Sequence, residues 1–305
     1  MTIRPPDGVF AAPPAERAGP TGAARAAAGR RGSVGRAWRA LARSRTGAAG
    51  LAIVVRWLAV AALGPWLAPQ NAYELHADAV NQAPSARFLL GTDQFGRDVL
   101  SRIVDGSRSI MLIAPAATLL GLTLGTMIGL TTGYAGGWYD EIVMRILDGI
   151  MAFPTLIIIM LLISVVPVSA GMVTLIIGVN FAPYGARVVR SAVLSVRSLE
   201  FVDAARLRGE PVLAILTREI LPNCWRPITV EGTTRLGYAI FAEAGLSFLG
   251  LGVPPPTPDW GVMVKEGQGA ILVAPWAALF PSIAIATLVV GVNLVADGVR
   301  QRVGR

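Results

Sequence analysis

Acidic side chains at two places in the sequence have the type and spacing for proton chemistry. Asp93 and Asp98 stand close together within residues 90–102, LGTDQFGRDVLSR, and Glu243 interrupts an otherwise apolar run. Acid–base catalysis needs a second group of suitable pKa within hydrogen-bonding reach. The sequence around Asp93 and Asp98 supplies no such base, so we interpret the stretch as a turn followed by a helix that lines an entrance. Within it we expect Arg97 and Asp98 to pair.

Glu243 carries the charge that most needs an explanation. A carboxylate inside an apolar segment is costly, and such a group usually faces water, a partner charge or the interior of a helix bundle. Two interpretations stay open. In the first, Glu243 lines a water-filled path or pairs with a basic group such as Arg235, two turns earlier on the same helix. In the second, it belongs to a structural pair that fixes helix packing or a subunit interface.

Other kinds of site chemistry are excluded by residue counts. One cysteine, Cys224, allows no intramolecular disulfide, and with the lone His76 it makes no zinc site. The only lysine is Lys265, in VMVKEGQ, so the chain has no phosphate-binding loop of the G-x-x-x-x-G-K-[ST] type. We therefore expect no cofactor, no metal and no ATP site on this chain.

The composition places the chain in a lipid bilayer. Hydrophobic residues make up 53% of its 305 residues, charged residues 15%, and the mean hydropathy is +0.58, which is too apolar for a soluble domain. Nine arginines stand in residues 1–46 against Asp7 and Glu16, which leaves the rest of the chain nearly neutral. We predict a disordered basic cytoplasmic tail near anionic lipid, and no binding of nucleic acid.

The elements that must position these residues are helices, because the apolar runs predict an all-α membrane protein with six transmembrane helices. Residues 149–186 carry no charge and as one helix would be nearly two bilayers long, so they must fold back at 166–171. The predicted segments are the tail 1–46, a first transmembrane helix 47–68, an extracytoplasmic loop 69–108, a core 109–297 and a cytoplasmic tail 298–305. The core spans are 109–139, two within 149–186, 229–252 and 273–296.

Small residues recur at every fourth position of the second span, as Gly121, Gly125, Gly129 and Gly133. On a helix they share one face and let another helix approach closely. We expect this face to be buried, either within the subunit or between subunits. Four prolines at or near predicted spans indicate kinks: 115, 154, 183 and 281.

Basic residues set the orientation. With both termini inside, the inner segments carry twenty Lys and Arg and the outer loops five. Positive charge is enriched on the cytoplasmic side of membrane proteins. Residues 198–222, SLEFVDAARLRGEPVLAILTREILP, are therefore expected in the cytoplasm.

These residues predict a helix, a glycine corner and a second helix. Ser198 is the predicted cap of the first helix, Gly209 ends it in a left-handed conformation, Pro211 begins the second helix, and Leu221-Pro222 ends it. The first helix pairs the small residues Ala204 and Ala205 with larger apolar ones nearby. Such a surface suits either insertion into a partner's groove or simple packing on membrane or protein. The apolar neighbours are Phe201, Val202 and Leu207.

Several motifs resemble one protein family. Asp203-Ala204-Ala205, then Gly209, then Leu221-Pro222 resemble the EAA loop of ATP-binding-cassette (ABC) importer permeases, with Asp203 in place of the usual Glu. Residues 90–102 resemble the LGTDxxGRDVLSR signature of one of the two permease types in peptide and nickel importers. The same subfamily's EAxLSFLGLGxxPPTPxWG pattern resembles residues 243–261. With Gly136-Gly137-Trp138 and Ala152-Phe153-Pro154, the likeness covers almost everything after residue 85.

The resemblance implies a type I ABC importer permease fold in a bacterial-type inner membrane, with a cytoplasmic coupling helix between the fourth and fifth spans. The implied partners are a second permease, ABC ATPase subunits and an extracytoplasmic substrate-binding protein. The residues implied in ATPase coupling are Phe201, Val202, Asp203, Ala204, Ala205, Leu207 and Gly209. The candidates for the path or its gate are Glu243, Asp93 and Arg97.

Two other functions fit parts of the sequence. A proton-coupled secondary transporter with Glu243 as its relay also needs no ATP site, but it has no use for an ATPase-docking loop. A membrane scaffold without transport explains the glycine face and leaves both the loop and the outer signature without a role.

Overall fold

The computed structural model describes residues 45–303, so nearly all of the predicted basic tail lies outside the described residues. Within them the fold is helical, and the only β-pairing is an isolated bridge between Thr92 and Asp98. The helices are α1 (Arg45–Leu67), α2 (Val99–Ala135), α3 (Gly137–Met151), α4 (Thr155–Val165), α5 (Ala170–Val196), α6 (Glu200–Leu207), α7 (Val212–Ala214), α8 (Trp225–Phe248), α9 (Trp260–Gln268) and α10 (Trp276–Val303).

The centre of the fold is the pair α2 and α5, and the predicted glycine face makes this contact. A Cβ atom added at Gly121, Gly125 or Gly129 would lie 2.6 to 2.7 Å from a carbonyl oxygen of α5. At Gly133 it would lie 2.8 Å from the Cβ atom of Val193. The two backbones therefore touch along four successive turns, which confirms the prediction of buried packing and places it within the subunit.

A second close pair joins the two ends of the chain, α1 and α10. A Cβ atom at Gly50 would lie 2.7 Å from the carbonyl oxygen of Gly291. Trp57 of α1 donates a hydrogen bond to Thr287 of α10 at 3.2 Å and packs edge-on against Trp260 of α9, with ring centroids 4.7 Å apart. The main apolar core, which includes both tryptophans, holds these helices against α2 and α8.

Four described helices are long and apolar enough to cross a bilayer: Thr46–Leu67, Val99–Ala135, Ala170–Val196 and Trp276–Gln301. The predicted third span is instead divided, because α3 and α4 meet at a bend of 86° next to Pro154 and α4 has only 11 residues. The predicted fifth span corresponds to α8, whose apolar character is interrupted by Glu231, Arg235 and Glu243. The other three prolines lie inside α2, α5 and α10.

Helix α2 is longer than the charge-free stretch from which a span was predicted. It begins at Val99, ten residues before that stretch, and has 37 residues. The side chain of Asp98 explains the early start, since it accepts hydrogen bonds from the backbone N–H of Ser101 at 2.8 Å and from its hydroxyl at 2.6 Å. This N-cap satisfies the first turn, so the helix can begin among charged residues.

Candidate functional site

Residues 197–224 form one end of the helix bundle, which we call the α6 end. Helix α6 ends at a glycine corner, where Gly209 has φ +72°. The N–H of Gly209 donates to the carbonyl oxygen of Arg206 at 2.9 Å, and the N–H of Glu210 donates to the carbonyl oxygen of Ala205 at 3.2 Å. These two bonds make a Schellman motif, and the left-handed residue it requires is most easily a glycine. The predicted glycine stop is confirmed.

The predicted cap at Ser198 is wrong. Leu199 occupies the N-cap position of α6 in an extended conformation, and no side chain caps the helix there. Ser198 lies one residue too early, in the turn that follows α5, where its hydroxyl contacts the carbonyl oxygen of Ser195 at 3.4 Å. Glu200 and Asp203 remain in the first turn, where their charges favour the helix dipole.

Helix α6 has a buried face and an open face. Val202 and Ala205 are fully buried and belong to an apolar cluster with residues of α2, α5 and the segment after Gly209. Phe201, Asp203, Ala204 and Leu207 point outward, and Leu207 is 89% exposed. The predicted coupling residues are thus divided: two hold the helix onto its own subunit, four are available to a partner, and Gly209 makes the corner.

The segment after the corner is more compact than the single second helix expected from sequence. Pro211 is the N-cap of the short α7, which continues as a π-helical turn over Ile215–Ile220 and a 3₁₀ turn over Leu221–Asn223. Wider π-turns bring Ile215 and Ile220 both into the cluster beneath α6. Cys224 completes this cluster, and burial raises the pKa of its thiol.

Two arginines connect the α6 end to helix α2. Arg197, the last residue before the turn into α6, donates to the carbonyl oxygen of Gly133 at 2.8 Å. The guanidinium of Arg206 on α6 lies 5.1 Å from the ring of Tyr134, and hydrogen bonding to that tyrosine raises the pKa of Arg206. A cation at the C-terminus of α2 also compensates the helix dipole. Helix α6 and the turn before it are therefore joined to the C-terminal end of α2.

The opposite end of the bundle is closed by an ion-pair network. Arg97 Nε lies 2.7 Å from Asp93 Oδ2, and its Nη2 lies 2.6 Å from Glu266 Oε2 of α9. Buried Arg102 reaches the same Glu266 oxygen at 3.4 Å. The expected pair of Arg97 and Asp98 is wrong, because Asp98 is used to cap α2 and α9 supplies a better partner from far along the chain.

Two tryptophans close this opposite end further. Trp260 Nε1 donates to the carbonyl oxygen of Ile103, and Trp276 Nε1 donates to that of Thr92, each at 2.9 Å. Asp93 also accepts from the backbone N–H groups of Phe95 and Arg97. The path candidates Asp93 and Arg97 are thus engaged in joining residues 90–102 to α9 and α10, and this segment is a turn followed by a helix as predicted.

Glu243 is buried next to a second carboxylate, that of Asp259, and the sequence did not predict that the two would be close. Glu243 is 2% exposed in the last third of α8, next to Asp259, the N-cap of α9, and its Oε1 accepts no hydrogen bond from the residues that the structure describes. Ser247 donates to Asp259 at 3.0 Å from the next turn. The suggested pairing with Arg235 is wrong, because Arg235 turns to Glu231 at 2.5 Å on the same helix. Asp259 belongs to the motif PPTPDWG, which is visible in the sequence, but only the fold brings Asp259 close to Glu243.

Comparison with known proteins identifies the family of this chain. Residues 121–305 match the model of the binding-protein-dependent transport system inner membrane component, and residues 34–84 match the N-terminal transmembrane domain of oligopeptide transport permease C. The chain is 36% identical to the dipeptide transport system permease protein DppC of Alkalihalophilus pseudofirmus, over 87% of each chain.

Two further relatives are similar in identity and coverage. The glutathione transport system permease protein GsiD of Pectobacterium atrosepticum is 36% identical over 87% of this chain and 88% of its own. A putative peptide transport system permease protein of Brucella suis biovar 1 is 37% identical over 86% and 88%. All three are transport permeases, so the proton-coupled alternative has no support. The chain belongs to the family of inner membrane permease components of binding-protein-dependent, ATP-driven transport systems.

Proposed function

We propose that this chain is one of two permease subunits in an importer of peptides and that its α6 end docks on an ABC ATPase. The names of its relatives support peptides as the substrate class. One observation carries the docking proposal: α6 is held from below by fully buried Val202 and Ala205, while Phe201, Ala204 and Leu207 remain open to a partner. A few well-packed side chains supply most of the binding energy at protein interfaces.

The proposed topology has six spans with both termini in the cytoplasm. Four are the long apolar helices, the third is the bent pair α3 and α4, and the fifth is α8. Support for α8 as a span comes from its length, 24 residues, and from its contacts with α2, α5 and α10. The excess of basic residues on the α6 side supports the orientation.

In the proposed mechanism, ATP is bound and hydrolysed only by the partner subunits. Their closure moves α6, and Arg197 and Arg206 pass this movement to α2 and, through the glycine face, to α5. Rigid-body rotation of these helices against the second permease opens and closes the path. The substrate-binding protein delivers its cargo at the opposite end, where the ion-pair network keeps the receiving surface in one shape.

The docking proposal is tested by Leu207→Asp in the complete importer, co-expressed with its second permease and ATPases. Docking would bury the new carboxylate away from water, which weakens the complex. We therefore expect the amount of ATPase that co-purifies with a tagged permease to fall at least tenfold. Leu272→Asp is the matched control, because Leu272 is 97% exposed and lies far from α6. Equal ATPase recovery from both variants would remove α6 as the docking element.

A further inference from the structure

A pair of opposite charges lies half-way along α8. Arg235 Nε is 2.5 Å from Glu231 Oε1, and the side chains are 19% and 11% exposed. Arg235 stands ten residues into a helix that begins at Trp225, so it lies about 15 Å from that end, near the middle of a hydrocarbon core about 30 Å thick. Charged side chains at this depth are rare, and they mark substrate or ion pathways.

Aromatic rings from two helices surround the guanidinium group. Its carbon lies 4.2 Å from the ring of Tyr184 on α5 and 5.4 Å from that of Tyr238 on α8, with Phe181 at 5.9 Å. The hydroxyl of Tyr184 is fixed by Thr155, at the start of α4, at 3.1 Å. Tyr238 is 57% exposed, so one wall of this charged cluster is open at the surface of the subunit.

The hydrogen-bonding capacity of Arg235 is only partly used. Its Nε donates to Glu231, and among the residues that the structure describes its two terminal nitrogens form no hydrogen bond. Guanidinium groups present a planar fork that matches a carboxylate with two parallel bonds. The two terminal nitrogens of Arg235 are therefore left for a bidentate contact of this kind.

The ion pair of Glu231 and Arg235 does not itself join two helices, although the guanidinium packs against Tyr184 of α5. Asp140 and Arg190 also pair at 2.5 Å, but they connect α3 to α5 and so hold two elements together. Glu231 and Arg235 stand four residues apart on one helix, which their ion pair cannot join to anything else. Two apolar residues would fill the same positions without the cost of desolvating charges.

We propose that Glu231 and Arg235 form a charge-recognition station for zwitterionic peptides in the translocation path. Arg235 binds the terminal carboxylate of the peptide, and Glu231 binds its terminal ammonium. The two contacts replace the ion pair between Glu231 and Arg235, so that no net charge is left buried. The rings of Phe181 and Tyr184 lower the local polarity beside the guanidinium and strengthen its contact with the carboxylate. The assignment rests on the proposed function as a peptide importer, and it names the residues that discriminate between substrates.

The test uses the complete importer in proteoliposomes, with ATP inside and the binding protein outside. The probe is a library of dipeptides with free C-termini, whose two charged ends are close enough to reach both residues, mixed with the same library as C-terminal amides, and uptake of each form is measured by mass spectrometry. For Arg235→Gln we expect uptake of the free peptides to fall at least tenfold, the preference for free over amidated peptides to disappear, and ATP hydrolysis to stay within twofold of wild type. Arg235→Lys keeps the charge but not the two parallel bonds, so it should restore only part of the preference.

Arg145→Gln is the matched control. Arg145 also follows a glutamate, Glu141, by four residues and pairs with it at 3.0 Å, but on an exposed surface of α3. We expect this variant to keep wild-type uptake and the preference for free peptides. A general effect of losing one positive charge from the chain would appear in both variants.

Three outcomes would overturn the station. Unchanged preference in Arg235→Gln shows that the peptide carboxylate does not meet Arg235. Parallel loss of uptake, ATP hydrolysis and complex recovery shows a structural pair, and loss of the second permease alone shows an interface. A wild-type importer that assembles and hydrolyses ATP but takes up no peptide contradicts the proposed function instead, and so the two failures are distinguishable.

Discussion

The two ends of the bundle are stabilised in opposite ways. At the α6 end, apolar side chains such as Val202 and Ile220 are buried beneath a helix whose outer face is open. At the opposite end, charges and tryptophan N–H groups join residues 90–102 to α9 and α10. One end therefore leaves a surface open and the other is held in one shape, and three substitutions test this contrast.

The largest effect is expected where the two ends are connected, at the contact of α2 with α5. Gly129→Leu places a Cβ atom 2.6 Å from the carbonyl oxygen of Ala186, and the helices must separate to admit it. We expect no folded permease to accumulate in membranes. Among the described residues nothing lies within 4 Å of a Cβ atom at Gly149 on α3, so Gly149→Leu should accumulate normally. Membrane immunoblots of both variants compare them, and equal levels would deny that the glycine contact is essential.

An intermediate effect is expected at the opposite end. Glu266→Ala removes the carboxylate shared by Arg97 and buried Arg102, which leaves Arg97 with Asp93 alone and Arg102 with only a 4.0 Å contact to Asp93. We expect a loss of about 2 kcal/mol in unfolding free energy, less than for a fully buried pair because Glu266 is 22% exposed.

The unfolding free energy is measured by denaturant titration of the purified chain in detergent micelles. Glu141→Ala serves as its control, since the exposed pair with Arg145 is worth less than about 0.5 kcal/mol. If both alanine variants lose the same small amount, the network does not stabilise this end.

The smallest effect is expected at the glycine corner. Among the described residues no atom lies within 4 Å of a Cβ at Gly209, so a side chain meets no obstacle and only the φ of +72° resists it. Gly209→Val should cost about 1 kcal/mol and weaken ATPase recovery several-fold, whereas Gly209→Asn should cost less because asparagine tolerates this conformation. Identical ATPase recovery by the two variants would show that the corner does not position α6.

Local patterns predicted the parts of the fold that neighbours in sequence decide. The glycine face of α2 and the stop at Gly209 follow from spacing and from backbone conformation, and both are confirmed. The partner of Arg97 was wrong because Glu266 stands 169 residues away, a distance that no local rule bridges.

The same reason explains Glu243 and the third span. The nearness of Glu243 to Asp259 depends on how α9 folds back on α8. The 86° bend at Pro154 is compatible with a kink in sequence, but its size depends on packing. The predicted coupling residues from Phe201 to Leu207 lie on one helix, but only the fold separates the buried Val202 and Ala205 from the exposed Leu207.

The length of α2 has a consequence for the size of the motion. With 37 residues it is about 55 Å long, and it runs from the cap at Asp98 to the carbonyls held by Arg197. If it pivots at its midpoint as a stiff rod, a tilt of about 5° displaces each tip by about 2.4 Å, in opposite directions. A displacement of a few ångströms imposed on α6 then suffices to shift the far end of α2 by a similar amount, through leverage alone.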